Sequence, residues 1–168
     1  MNEKQFSRLK QIGIAIICIS FSFSVIGAGP ECREQGTVTW IVDGDTIIVK
    51  LQKKSEKVRL LGIDTPEFHN KNNKREYFAY EAFLYTKEHL KGKIICLVKD
   101  PQNDRDVYGR LLRYVYMNGR LFNAELVREG YAEIYYKGDH SMKIFFSHLQ
   151  DEAKHAKRGM WKVRKQLE

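Results

Sequence analysis

Thr37-Val38-Thr39-Trp40-Ile41-Val42-Asp43-Gly44-Asp45-Thr46-Ile47-Ile48-Val49-Lys50-Leu51 has the pattern of two strands joined by a tight turn. Its two halves are β-branched, aromatic and aliphatic, the composition of strands. Between them Asp43-Gly44 is a strong hairpin signal. Downstream, Gln52 to Glu56 reads as a polar turn and Val58 to Ile63 as a third strand. Asp64-Thr65-Pro66 ends that strand, because proline cannot donate to a ladder. Phe68 to Arg75 reads as a polar, basic loop carrying His69 and Lys71. Ala79, Ala82, Phe83, Thr86 and Leu90 then recur with helical period, and Gly92 suits the helix end. Lys93–Lys99 and Arg110–Tyr116 read as strands four and five, separated by a polar loop and followed by the turn Asn118-Gly119. Asn123 is placed to cap a short helix running through Glu129 with Gly130 closing it, and Ser141 to cap a last one. That last helix carries an apolar stripe of Met142, Phe145, Phe146, Leu149, Ala153 and Ala156, and Met160 and Trp161 belong to the core. Three strands, a helix, two strands and two helices describe an α+β chain with a mainly β core. The fit is a five-stranded OB-type barrel with three α-helices.

The chain has 168 residues, which suits one domain. Residues 1–29 differ from the rest. Lys4, Arg8 and Lys10 precede an apolar run from Ile12 to Ile26, and Gly27, Ala28 and Gly29 follow. That order is the order of a secretory signal peptide, and it predicts export. The run is short for a span of roughly 20 residues, and an uncleaved N-terminal anchor is the other reading. Residues 30–36 read as a linker, 37–162 as the folded domain and 163–168 as a basic tail.

The net charge is +8, and removal of residues 1–28 leaves about +6. A basic surface favours a polyanionic partner. Of three cysteines, Cys18 lies in the leader. Cys32 and Cys96 remain, as a disulfide in an oxidising compartment or as two unrelated thiols. Two cysteines so far apart, without a Cys/His cluster, argue against structural zinc.

Three clusters can carry chemistry. Asp43-Gly44 alone is explained by the turn, but turn chemistry does not require Asp45. Arg59 lies within an apolar strand and must find a partner or face a site. Asp64, Thr65 and Glu67 gather where that strand leaves the sheet. Arg110 starts the fifth strand after the polar loop containing Asp106 and Tyr108, and it can reach the same barrel end. Two carboxylates with a backbone carbonyl and waters make a hard-oxygen site suited to calcium. Two arginines can grip phosphate oxygens with bidentate bonds, and a further carboxylate can orient or deprotonate a water.

These residues resemble the staphylococcal nuclease family. The chain carries Asp43-Gly44-Asp45-Thr46-Ile47, then Arg59-Leu60 and Ile63-Asp64-Thr65-Pro66-Glu67, in the family's spacing. A second signature appears as Asp106-Val107-Tyr108-Gly109-Arg110, and the likeness runs over about residues 36–162. The resemblance implies an OB-type barrel with three helices and a calcium-dependent endonuclease. It would cut DNA and RNA, preferably single-stranded, leave 3′-phosphates and work as a monomer. It implies that Asp45, Asp64 and the Thr65 carbonyl hold Ca2+, and that Glu67 is the general base or orienter of water. Arg59 and Arg110 bind the scissile phosphate, and Tyr108 with Tyr135 or Tyr136 contacts the nucleotide, Tyr136 being chosen here. Val107 stands where relatives have a basic residue, Arg113 where they have a small one, and Ala79 where they often have Gly. Those changes leave the proposed catalytic set intact. A catalytically silent OB-fold nucleic-acid-binding module is the alternative, and such relatives are expected to lose acids or arginines from the set.

Overall fold

The computed structural model describes residues 32–68 and 74–162. The expected leader, the expected basic tail, His69 and Lys71 lie outside the described residues. Eight strands and three helices run in the order β1 (Glu34–Asp43), β2 (Thr46–Lys50), β3 (Ser55–Leu60), β4 (Ile63–Asp64), α1 (Ala79–Leu90), β5 (Ile94–Lys99), β6 (Leu111–Met117), β7 (Arg120–Leu121), α2 (Phe122–Arg128), β8 (Glu133–Ile134) and α3 (Lys143–His155). A 3-10 turn at Gly159–Lys162 follows.

Strands β3-β2-β1-β5-β6 pair in that order, all antiparallel, and β3 also pairs with β6 in parallel. That last pairing closes a five-stranded barrel and leaves it without open edges. Its inside is filled by the alternate aliphatics Val38, Ile41, Ile47, Val49, Val58, Leu60, Ile95, Leu97 and Val115, all buried. The alternation fails at Thr39 and Trp40, both exposed, because the β1–β2 register shifts between Val38 and Trp40. A bulge of this kind turns consecutive side chains outward.

Several sequence expectations need correction. β1 begins at Glu34, so the first three strand residues fall in the stretch read as a linker; they pair with Leu97, Cys96 and Ile95. The turn before the third strand is shorter than expected, since Ser55 and Glu56 already pair with Lys50 and Val49. The third strand does not run to Ile63. It stops at Leu60, the chain turns at Gly62 with φ +82°, and Ile63–Asp64 pairs with β8 instead. Asn123 caps nothing: it sits in the second position of α2 and is fully buried. Its amide accepts from Val115 N at 2.9 Å and donates to Leu61 O at 3.0 Å, tying α2 to the barrel. Ser141 is likewise no cap: Met142 holds that position, and the Ser141 hydroxyl pairs with the Tyr114 hydroxyl at 3.2 Å while its N–H donates to Asp100 Oδ2 at 2.9 Å. In α3 the buried face is Phe146, Leu149, Gln150 and Ala153, while Phe145 and Ala156 are exposed. Gln150 is inside because its amide oxygen accepts from Ile134 N at 2.9 Å, a pairing that no hydropathy pattern reveals.

Cys32 and Cys96 are disulfide-bonded, with Cα atoms 5.7 Å apart. The bridge joins the entry to β1 with β5. Arg113, 5% exposed, is also structural, held by Glu34 Oε2 at 3.0 Å and Asp104 Oδ1 at 3.0 Å. It therefore takes the packing role and not the phosphate contact. Ala79 is buried at the start of α1, and Val107 stands fully in solvent. No helix among the described residues is long and apolar enough to cross a membrane.

Candidate active site

The site grows from the β1–β2 hairpin. Asp43 pairs with Thr46, so the two-residue loop is Gly44-Asp45. Gly44 is required for space: a Cβ there would lie 2.8 Å from Thr65 Oγ1. This close approach brings the loop against the chain leaving β4, and α1 supports it from behind through Thr86 Oγ1, which donates to Gly44 O at 2.5 Å. Asp45 is consequently buried. Its Oδ2 accepts from Thr65 N at 2.9 Å and its Oδ1 from Thr46 Oγ1 at 2.8 Å and from Arg59 Nη1.

Arg59 faces Thr46 across the β2–β3 ladder. Its second terminal nitrogen reaches Asp64 Oδ1 at 2.5 Å and Ile63 O at 3.3 Å. One guanidinium thus bridges two carboxylates from different elements. Burial alone would weaken its charge, but the Asp45 and Asp64 charges outweigh that and raise its pKa. Glu67 follows one turn later, its N–H donating to Glu76 Oε2 at 3.0 Å. Burial, the nearby Asp43 charge and a hydrogen bond with Asp43 push the Glu67 carboxyl up to about 7. Arg110 closes the opposite side. Asp106 Oδ2 accepts from its Nε at 2.5 Å, Asp106 Oδ1 accepts from its backbone N–H at 2.9 Å, and the guanidinium lies 5.5 Å from the Tyr108 ring.

Arg59, Glu67 and Arg110 line two adjoining hollows. One is completed by Val42, Asp43, Asp45, Thr46 and Lys57. The other extends past Asp64 to Tyr108, Tyr135 and Lys137. So Asp45, Arg59, Asp64, Thr65, Glu67, Arg110 and Tyr108 are gathered at one barrel end. Tyr136 is not part of this lining; its hydroxyl accepts from Gln150 Nε2 at 3.0 Å, while Tyr135 sits 5.9 Å from the Arg59 guanidinium. The residue that sequence reasoning missed is Asp43. The turn accounts for an Asp at this position, but its carboxylate also accepts from Gly44 N at 2.8 Å and Phe68 N at 3.3 Å and bonds Glu67, partners that no local pattern announces.

Asp45, Asp64 and the Thr65 carbonyl could offer a cation oxygen donors only, and such a set suits a hard cation better than a thiolate- or imidazole-seeking metal. Beside it, the Thr65 hydroxyl is buried without a hydrogen-bond partner among the described residues. No group of three or more His, Cys, Asp or Glu side chains that could hold a metal occurs among the described residues. A cation here would therefore complete its shell with water.

The arrangement has relatives. A sequence profile described as staphylococcal nuclease homologue matches residues 57–163. The chain belongs to this family. It is 32% identical over 158 residues to the thermonuclease of Staphylococcus intermedius, covering 89% of this chain and 93% of that protein. It is 35% identical over 127 residues to the endonuclease YncB of Bacillus subtilis, covering 74% of this chain and 60% of that protein. An uncharacterized protein of Methanocaldococcus jannaschii is 35% identical over 147 residues, covering 75% of this chain and 70% of that protein. Membership of the staphylococcal nuclease family makes the chain a nuclease, a hydrolase acting on the phosphodiester bonds of nucleic acid.

Proposed function

We propose that this nuclease is an exported, calcium-dependent endonuclease that cuts DNA and RNA, preferably single-stranded, and leaves 3′-phosphates while working as a monomer. The observation that carries the reading is the meeting of Arg59, Glu67 and Arg110 in one cleft beside the Asp45–Asp64 pair. A silent binding module has no need of that complete set.

Asp45, Asp64 and the Thr65 carbonyl would hold the cation. When bound, it supplies charge neutralisation at a phosphoryl oxygen and acidifies a water. Arg59 and Arg110 grip the remaining phosphate oxygens with charge-assisted bonds and stabilise the charge that grows on them. Glu67 orients the attacking water and takes its proton, which a carboxylate titrating near neutrality does efficiently. The new bond joins the water oxygen to phosphorus, the phosphorus–O5′ bond breaks, and O5′ leaves as a hydroxyl after gaining a proton from solvent, to which Glu67 returns the one it took. Tyr108 and Tyr135 present rings beside the two arginines and support a nucleotide there. Few protein ligands make a weak cation site, adequate where calcium is abundant outside cells. The leader-like order of residues 1–29 supports export, with an uncleaved anchor as the other outcome.

The test is hydrolysis of single-stranded DNA with calcium and with a chelator, beside Arg59→Ala. Calcium-dependent cleavage that collapses in the variant is expected. Binding without cleavage under any divalent cation would return the protein to the silent module.

A further inference from the structure

The outer face of the barrel next to the cleft carries exposed aromatic rings, each with a cation over it. Trp40 is 60% exposed, and Lys91 Nζ stands 4.9 Å from its ring. Tyr80 is exposed, with the Arg75 guanidinium 5.3 Å away. Arg75 also lies 5.0 Å from Phe68, which stacks on Phe83 at 4.8 Å, and Lys87 Nζ is 5.9 Å from Phe83. Sequence spacing explains the alignment. Tyr80 and Lys87 are seven residues apart and share one face of α1, Lys91 follows at the helix C-cap, and Glu81 and Glu88 fall about 100° round the helix. On the barrel, Trp40 and Val42 both point outward, and Trp40 pairs with Ile48, which pairs with Lys57. Val42 and Lys57 already line the cleft. The row of Trp40, Ile48 and Lys57 thus lies two residues along the ladder from the Thr46–Arg59 pair of the site.

Trp40 leaves most of its indole in solvent, with Lys91 at the end of α1 over one face. Rings alternating with Lys and Arg, continuous with a phosphate-gripping cleft, match the needs of a single strand: π faces for bases and cations for phosphates. We propose that Trp40 and Tyr80, with Lys87 and Lys91, form a stacking track for the part of a single-stranded substrate that runs out of the cleft past Val42. The track rests on the nuclease reading of the cleft, and it lies on the Val42 side, away from Tyr108 and Tyr135. It favours single strands over duplex because only unpaired bases offer their faces.

The experiment uses two oligothymidylates, of about 3 and about 12 nucleotides, around the site size of roughly 4–16 nucleotides typical of such barrels. They are titrated with calcium into the Glu67→Gln protein while tryptophan emission is followed. The chain has two tryptophans, and Trp161 is buried at 9% exposure, so the change reports Trp40. The longer strand is expected to quench Trp40 and to bind more tightly than the shorter. Trp40→Ala and Tyr80→Ala should each weaken the longer strand about 5- to 150-fold, the value of one stacked base. Binding of the shorter strand should not change. Trp40→Phe should keep most of the affinity, and Lys91→Gln should weaken it and flatten its salt dependence. Unquenched emission, or a Trp40→Ala/Tyr80→Ala protein that binds the longer strand as its parent does, would overturn the track. Failure of wild-type protein to cut either strand would count against the cleft reading alone, since quenching and affinity are read without cleavage.

Discussion

The carboxyl groups of Asp43 and Glu67 are hydrogen-bonded to each other at the edge of the cleft. Two carboxyls in contact cannot both be ionised cheaply, so the proton between them stays on Glu67 and raises it, while the same bond pulls Asp43 down against a larger rise from burial. Burial is the larger cause for each, with Asp45 adding to the effect on Asp43. A carboxyl titration of metal-free protein, followed by NMR, should place Glu67 near 7. Asp43→Asn should move it down. The sign for stability follows: the folded state holds the proton more tightly than the unfolded chain, so this pair favours folding in acid. Its contribution is lost as pH rises from about 4.5 toward 7. Metal-free Asp43→Asn should therefore unfold at higher denaturant than wild type at neutral pH. A Glu67 titration unmoved in the variant would mean that burial alone sets it.

Glu67→Gln and Arg59→Ala should differ in kind. Gln keeps the size of Glu67 and most hydrogen bonds but cannot take a proton, so turnover should fall by about 100- to 10,000-fold with little change in nucleotide affinity. Arg59→Ala removes a phosphate grip and also leaves Asp45, 2% exposed, without its counter-charge. It should lose both turnover and about 3–5 kcal/mol of stability. Equal losses of turnover and binding in Glu67→Gln would make Glu67 a structural residue.

The Gly62–His140 contact offers a packing test. A Cβ on Gly62 would meet His140 Cε1 at 2.4 Å, and its φ of +82° disfavours any side chain. Gly62→Ala should cost about 2–4 kcal/mol, combining backbone strain of order 1 kcal/mol with overpacking of order 1–3. His140→Ala should recover the overpacking part but not the backbone part. A double-mutant cycle in urea should therefore show a coupling of about 1–3 kcal/mol, and strict additivity would mean that the ring simply moves aside.

The Cys32–Cys96 bridge spans 64 residues. Closing a loop of that length is worth about 4 kcal/mol on the chain-entropy account, within the 2–5 kcal/mol usual for native bridges. Cys32→Ser/Cys96→Ser should lower stability by that order in denaturant titrations while leaving cleavage at low temperature intact, because neither residue lines the cleft.

Much of the barrel was legible because its strands alternate with period two and its turns carry Gly, Asn and Pro. The site was legible for a different reason: Asp45, Arg59, Asp64, Glu67 and Arg110 each sit where local structure does not require them. What stayed hidden depends on partners distant in sequence. Gln150 and Asn123 look like surface or cap residues until Ile134 N, Val115 N and Leu61 O come to meet them. The turn at Gly62 was hidden because Val58 to Ile63 has the composition of one continuous strand. Tyr135 and Tyr136 differ by one position, and pairing of β4 with β8 decides which ring meets Arg59.

Acid lability should separate into two steps carried by neighbouring residues. Asp100 is buried and accepts from Gln102 N at 3.0 Å, Asn103 Nδ2 at 2.9 Å, Ser141 N at 2.9 Å and the Tyr114 hydroxyl at 3.1 Å. Burial works against its charge, but these donors, led by Ser141 N–H, outweigh it and hold the carboxyl well below its ordinary range. Its folded pKa is depressed, so its contribution is whole above about pH 4 and fades as pH falls further. His140, packed between Gly62 and Tyr114, is also depressed, chiefly by burial. The unfolded chain takes up that proton first, so stability falls from about pH 6.5 downward. Glu67 acts with the opposite sign in the same range, and the comparison belongs in a Glu67→Gln background. There, urea midpoints should decline from pH 7 to pH 5 in the parent and stay level in His140→Gln. Below pH 4 the steeper decline should be blunted in Asp100→Asn, which should already be weaker at pH 7. A parent curve flat between pH 7 and pH 5 would mean that His140 takes up its proton in the fold as readily as in the unfolded chain.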